Sequence, residues 1–187
     1  MCLISFLRFV LLLAGGLFFA SPAAVAAGAA QGDDADVPVV RSSATIKIHA
    51  PRETVWAVLT SCEEQHVMVP GLTACEVIDT APDGSWQLIR QTVDYSWLVP
   101  KVTYVLRARY DYPAHIDIER ESGDLRMLNS SWYLEADGEF TVVSYSLEVN
   151  CGFWVPHWLV RIALKHDMPK MLAALRTRSE STLQARK

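Results

Sequence analysis

No cysteine or histidine pair in this chain stands at zinc-ligand spacing, although it holds four cysteines and five histidines. A metal centre therefore has nothing to build on. No serine lies in a G-x-S-x-G turn, which removes the exposed nucleophile of the α/β hydrolases. Basic charge is short as well: 17 Lys and Arg stand against 21 Asp and Glu, a formal net charge of −4. A chain of that sign does not attract polyanions, so nucleic acid is not an expected partner. There is no internal repeat and no low-complexity domain, and no cofactor is expected.

Charge is also missing from the N-terminus, where Arg8 is the single charged residue among the first 30. Phe9 to Phe19 is apolar or Gly, and Ala24-Val25-Ala26 puts small residues at −3 and −1 of a cleavage site. These are the parts of a secretory signal peptide spanning residues 1–26, which implies a secreted or periplasmic protein. The competing reading is an uncleaved anchor, because Phe9 to Ala30 carries no charge, although its many Ala and Gly residues insert weakly. Residues 27–42, AGAAQGDDADVPVVRS, read as a flexible tether, and residues 43–187 as one ligand-binding domain of ordinary size.

Three cysteines remain beyond residue 26: Cys62, Cys75 and Cys151. An oxidising compartment permits one disulfide, and spacing alone leaves three pairings open. Cys62–Cys75 is favoured, because a short helical hairpin returning to a strand brings those two together.

Ser43 to His49 alternates, with Ala44, Ile46 and Ile48 on one face, and predicts a strand. Pro51 then opens a helix carrying Val55, Trp56, Val58 and Leu59, and Glu63 to Val69 is a second, shorter one ended by Pro70-Gly71. After that the helical period is absent for some eighty residues. Six strands separated by turn residues follow: 74–80, 86–95, 102–110, 115–120, 125–135 and 140–149. Short turns between consecutive strands predict an antiparallel meander. The chain closes on a helix from His157 to Ala185, with Val160, Leu164, Met168, Met171 and Leu175 along one stripe and Pro169 inside it.

A twisted antiparallel sheet curls around such a helix, giving an α+β fold whose sheet of about seven strands wraps a long C-terminal helix. The curved sheet stands away from the helix over part of its length. That gap either fills with large side chains or stays open as a ligand cavity. In a meander the loops at 96–100, 121–124 and 150–156 share one end, and two of them, SWLVP and CGFWVP, are aromatic where hairpin tips are ordinarily polar. Trp97, Leu98, Phe153, Trp154 and Trp158 therefore converge on a mouth; a packed apolar plug at that end uses the same residues. Below the rim, the inward positions Tyr104, Leu106, Trp132, Tyr145 and Leu147 and the helix residues Leu164, Met168 and Met171 complete the expected ligand-binding set.

Catalytic constellations are poor. The histidines are scattered, His49 and His115 lie on polar strand faces, and only His166 stands near a helix stripe. Gln87, Gln91, Asn129 and Ser131 are candidate polar anchors whose side of the sheet the alternation leaves open.

This order of elements resembles the helix-grip fold of the START-related superfamily, which includes lipid-transfer domains, polyketide cyclases and coenzyme Q-binding proteins. The similar segments are ATIKIHAPRETVWAVLT at 44–60, VPGL at 69–72, SSWYLEADG at 130–138 with the following VVSYSLEV, and VPHWLVRIALKHDMPKMLAALRTRSE at 155–180. Where that superfamily usually has an acidic residue after the first helix, this chain has Ser61-Cys62, a local addition that supports the Cys62–Cys75 pairing. The resemblance implies an exported monomeric carrier for a hydrophobic small molecule such as a lipid, isoprenoid, quinone or sterol-like compound, with transient membrane contact. The alternatives are a cyclase or aromatase using His166, Tyr104, Tyr145 or Arg107, and a protein-interaction module docking through the aromatic rim.

If residues 1–26 are removed on export, N-terminal sequencing of the exported protein reads from Ala27. Full-length chain recovered in the membrane fraction would instead establish the anchor.

Overall fold

Alternation sets the two faces of the sheet strand by strand. In β4 (Val102–Asp111), Val102, Tyr104, Leu106 and Ala108 are buried. Arg107 and Arg109 project from the opposite face, where they pair with Glu121 and Glu119 of β5 (His115–Gly123). These outer pairs are solvated and contribute little to stability. The computed structural model describes residues 39–94, 101–151 and 157–185. The remaining strands are β1 (Val40–Ile48), β2 (Leu72–Thr80), β3 (Trp86–Val93), β6 (Met127–Asp137) and β7 (Phe140–Asn150). All seven form one antiparallel sheet in the order β1-β7-β6-β5-β4-β3-β2. The helices are α1 (Arg52–Thr60), α2 (Cys62–Met68) and α3 (His157–Ala185). The fold is the α+β helix grip, with consecutive strands as neighbours from β2 to β7 and β1 closing beside β7.

Two boundaries differ from the sequence reading by three residues, and the other strand ends by two or fewer. Strand β1 begins at Val40 rather than Ser43, so the last residues of the expected tether belong to the sheet. The cause is the partner strand: Val40, Arg41 and Ser42 pair with Val149, Glu148 and Leu147, whose backbone groups need a neighbour there. Strand β5 runs past Arg120 to Gly123. Gly123 has φ +107°, and a Cβ on it would lie 2.4 Å from the Thr103 carbonyl oxygen, so only glycine lets β5 pass this close to β4.

One core fills the space between sheet and helices. Ile48, Val55, Leu134, Val143 and Leu175 are nearly inaccessible to solvent within it. Pro51 starts α1 where its missing N–H costs nothing. Ser61 ends α1 and caps α2, its hydroxyl accepting from the Glu64 amide at 3.4 Å. α3 packs along β1, α1 and α2, whereas the middle strands face it across a gap. α2 is tied to β2 by a disulfide between Cys62 and Cys75, whose Cα atoms are 5.4 Å apart, and Cys151 is a free thiol.

The disulfide closes a loop with a sequence separation of 13, which restricts the unfolded chain by about 3 kcal/mol in the chain-entropy account. The double variant Cys62→Ser, Cys75→Ser is expected to lose stability of that order in denaturant melts. A loss well under about 1 kcal/mol would mean that residual structure in the unfolded chain already holds α2 near β2.

Candidate functional site

The gap beneath α3 is a cavity of about 180 Å³. Its walls are cross-strand rows of the sheet. Deepest is the row Tyr110, Ile116, Trp132 and Tyr145, direct neighbours across β4 to β7. Trp132 and Tyr145 stack face to face with ring centroids 3.9 Å apart, a rigid aromatic pair in the wall. One row further along the strands come Ala108, Ile118, Ser130 and Leu147. Beyond them lie Ile89 and Leu106, then Gln91 and Tyr104. α2 and the turn after it contribute Gln65, Met68, Val69 and Pro70. α3 roofs the space with Leu164, Asp167, Met168, Met171 and Leu175.

Eight of the sequence-predicted ligand residues meet in this cavity: Tyr104, Leu106, Trp132, Tyr145, Leu147, Leu164, Met168 and Met171. Trp97, Phe153 and Trp154, with Leu98, lie outside the described residues. Trp158 is a correction: it is 57% exposed and does not line the cavity. Six residues before Leu164, it stands about 120° around the helix from the lining stripe and shares a face with Ile162, also exposed. His166 likewise turns outward, 65% exposed, with its Nδ1 3.1 Å from Oδ1 of Asp167. Arg107 is on the outer face of the sheet, bound to Glu121 and packed over the Trp86 ring. Among the described residues no histidine lines the cavity.

Of the four polar anchors left open by alternation, Gln91 faces the cavity and Asn129 and Ser131 face outward, Ser131 donating to Asp117 at 2.6 Å. Gln87 accepts the Tyr110 hydroxyl at 2.8 Å. Burial pushes the Tyr110 phenol up to about 12, so it stays protonated near neutral pH. Burial also raises the Cys151 thiol. Ser130 and Asp167 were not singled out from sequence. Ser130 carried a usable signal, since Trp132 two residues on was read as inward. Asp167 carried none, because it sits beside the apolar stripe rather than on it.

Three contacts hold α2 as a wall. Besides the disulfide, the Gln91 amide donates to Gln65 Oε1 at 2.7 Å, and Gln65 in turn donates to the Leu59 carbonyl at 3.0 Å. Arg178 of α3 grips Glu64 with two nitrogens, one at 2.7 Å and the other closer still. The hydrogen bonds from Arg178 hold the Glu64 carboxyl below its ordinary value.

The family model described as polyketide cyclase/dehydrase and lipid transport matches residues 48–176. Solved structures of similar fold include the Zhui aromatase/cyclase from Streptomyces sp. R1128, at 16% identity and TM-score 0.66, covering 78% of this chain and 96% of that one. A STAR-related lipid transfer protein from Xanthomonas axonopodis is similar at 17% identity and TM-score 0.66, covering 75% and 85%. A START superfamily protein from Mycobacterium smegmatis is similar at 18% identity and TM-score 0.65, covering 76% and 98%. At these identities the likeness is one of fold. Comparison with curated proteins finds no match.

The Glu64–Arg178 clamp couples this wall to pH. Glu64 is depressed in the folded chain, so its stabilisation is present above the ordinary value of 4.5 and fades as pH falls through the lower folded value. Glu64→Gln removes that titration and is expected to flatten the fall in melting temperature below about pH 4.5. Melts between about pH 6 and 3 check it; parallel acid limbs for variant and wild type would place the acid sensitivity elsewhere.

Proposed function

Since the chain belongs to the polyketide cyclase/dehydrase and lipid transport family, we propose that it is an exported carrier holding a hydrophobic small molecule between its sheet and α3. The observation that carries this reading is the lining of the cavity: apolar and aromatic side chains from β3 to β7 and α3, with few polar groups among them. Such a wall binds by excluding water, each buried methylene contributing about 0.8 kcal/mol, while one or two polar groups orient the ligand. Acid–base groups are thin by comparison. Of the four cyclase candidates Tyr104 and Tyr145 line the cavity, whereas His166 and Arg107 lie outside it, and the further lining phenol Tyr110 is held protonated and engaged with Gln87. That balance favours a carrier over a cyclase.

The volume of about 180 Å³ adds a limit. It is closer to the ~150 Å³ that holds benzene in an engineered cavity than to the ~300–1,000 Å³ of drug-sized sites. A compact ring system suits it better than a whole lipid chain.

Loading at a lipid surface is part of the same proposal. Trp158 and Ile162 are exposed one turn apart, and Arg161 and Lys165 are exposed beside them at the same spacing. An aromatic and an aliphatic side chain next to paired cations suit an anionic bilayer interface.

A neutral apolar dye such as N-phenylnaphthylamine tests both parts. Wild type is expected to bind it, and Leu147→Trp or Ile118→Phe, each filling the cavity from a different strand, to weaken binding about tenfold or more while melting cooperatively. Trp158→Ser with Ile162→Ser is expected to leave dye affinity unchanged but slow uptake from anionic vesicles. Equal dye affinity in folded, filled variants would sink the carrier reading, and unchanged vesicle uptake would sink the docking face.

A further inference from the structure

Two neutral polar side chains face the cavity with bonding capacity to spare. Ser130 is only 7% exposed, and among the described residues its hydroxyl has no hydrogen-bond partner. Gln91, also 7% exposed, spends its amide nitrogen on Gln65 and keeps its carbonyl oxygen unpaired among the described residues. Neither atom is sealed off from solvent, so both are open to bond a molecule that enters the cavity.

The charged side of the lining is as specific. Among the described residues Asp167 is the single Asp, Glu, Lys, Arg or His that lines the cavity. Its depth can be read from its neighbour. Met168 accepts a hydrogen bond from Ser42 at 3.4 Å, and Ser42 stands in the cross-strand row of Leu147 and Ser130. Asp167 therefore enters the roof at about the level at which Ser130 enters the wall. The cations of this helix segment, Arg161, Lys165 and Lys170, are exposed, so water and salt screen them.

We infer that the cavity selects compact molecules carrying an uncharged hydroxyl or carbonyl, and rejects carboxylates of the same size and shape. The ring of such a ligand lies against the stacked Trp132–Tyr145 pair. Its oxygen lies two residues further along β6, roughly 7 Å away, where Ser130 donates to it or accepts from it. A carboxylate placed there meets the like charge of Asp167, with no cation lining the cavity among the described residues. The inference rests on the carrier reading above and specifies its ligand class.

The test compares 2-naphthol, 2-naphthoate and 2-naphthylmethylammonium by calorimetry, which share a ring system and differ in charge. Wild type is expected to bind naphthol at least about tenfold more tightly than naphthoate, with the ammonium compound also ahead of naphthoate. Asp167→Asn is expected to close most of the gap between naphthol and naphthoate by tightening naphthoate. The ammonium comparison needs no variant and stands if Asp167→Asn fails to fold. Naphthoate binding as tightly as naphthol, with the neutral dye also bound, overturns the charge selection alone. Failure of every compound and of the dye overturns the carrier reading with it.

Discussion

A seven-stranded sheet must cover one face, and a single helix is too narrow to do it. Strands about 4.8 Å apart put the outer two roughly 29 Å from each other, while a helix with its side chains is about 10–12 Å across. Twist and curvature bring the edges of the sheet toward the helix, and α1 and α2 cover part of the remainder. α3 then lies against β1 and the two short helices. Over the middle strands the cover stays incomplete, and the cavity is that incompleteness.

Everything notable about the cavity follows from how its edges are held. The sheet side is rigid by construction, because each lining residue sits on a strand hydrogen-bonded on both sides. The α2 side has no such ladder. It is fixed instead by one covalent link to β2, a glutamine-to-glutamine bond to β3 and an ion pair to α3, three attachments of different chemistry within the first turn of one short helix. α2 and the Val69-Pro70 turn are thus the part of the wall whose position depends on side chains rather than on backbone pairing.

The same geometry sorts the polar residues. Outer-face charges pair across strands, as in Arg41 with Glu148 and Arg90 with Glu76, where water shares the load. Inner-face polar groups are few; Ser130 and Gln91 line the cavity, whereas the buried hydroxyl of Ser179 on α3 lies away from it. Fold and recognition therefore use one alternation, read from opposite sides of the sheet.

Much of this was legible in the amino-acid order. Period-two alternation in residues 102–110 and 140–149, the turn residues between strands and the spacing of Leu164, Met168, Met171 and Leu175 determine strands, meander and lining stripe, because each is a local geometric rule. The pairing of Cys62 with Cys75 was legible for the same reason, since a helical hairpin returning to a strand is a short-range event. Only tertiary structure decided the rest. Which way Trp158 and His166 turn depends on the rotation of α3 against β1, and that Asp167 shares a level with Ser130 depends on register between a helix and a strand far apart in the chain. The extra residues of β1 depend on how far β7 runs beside it. Local periodicity says which residues share a face; it takes long-range packing to say what that face looks at.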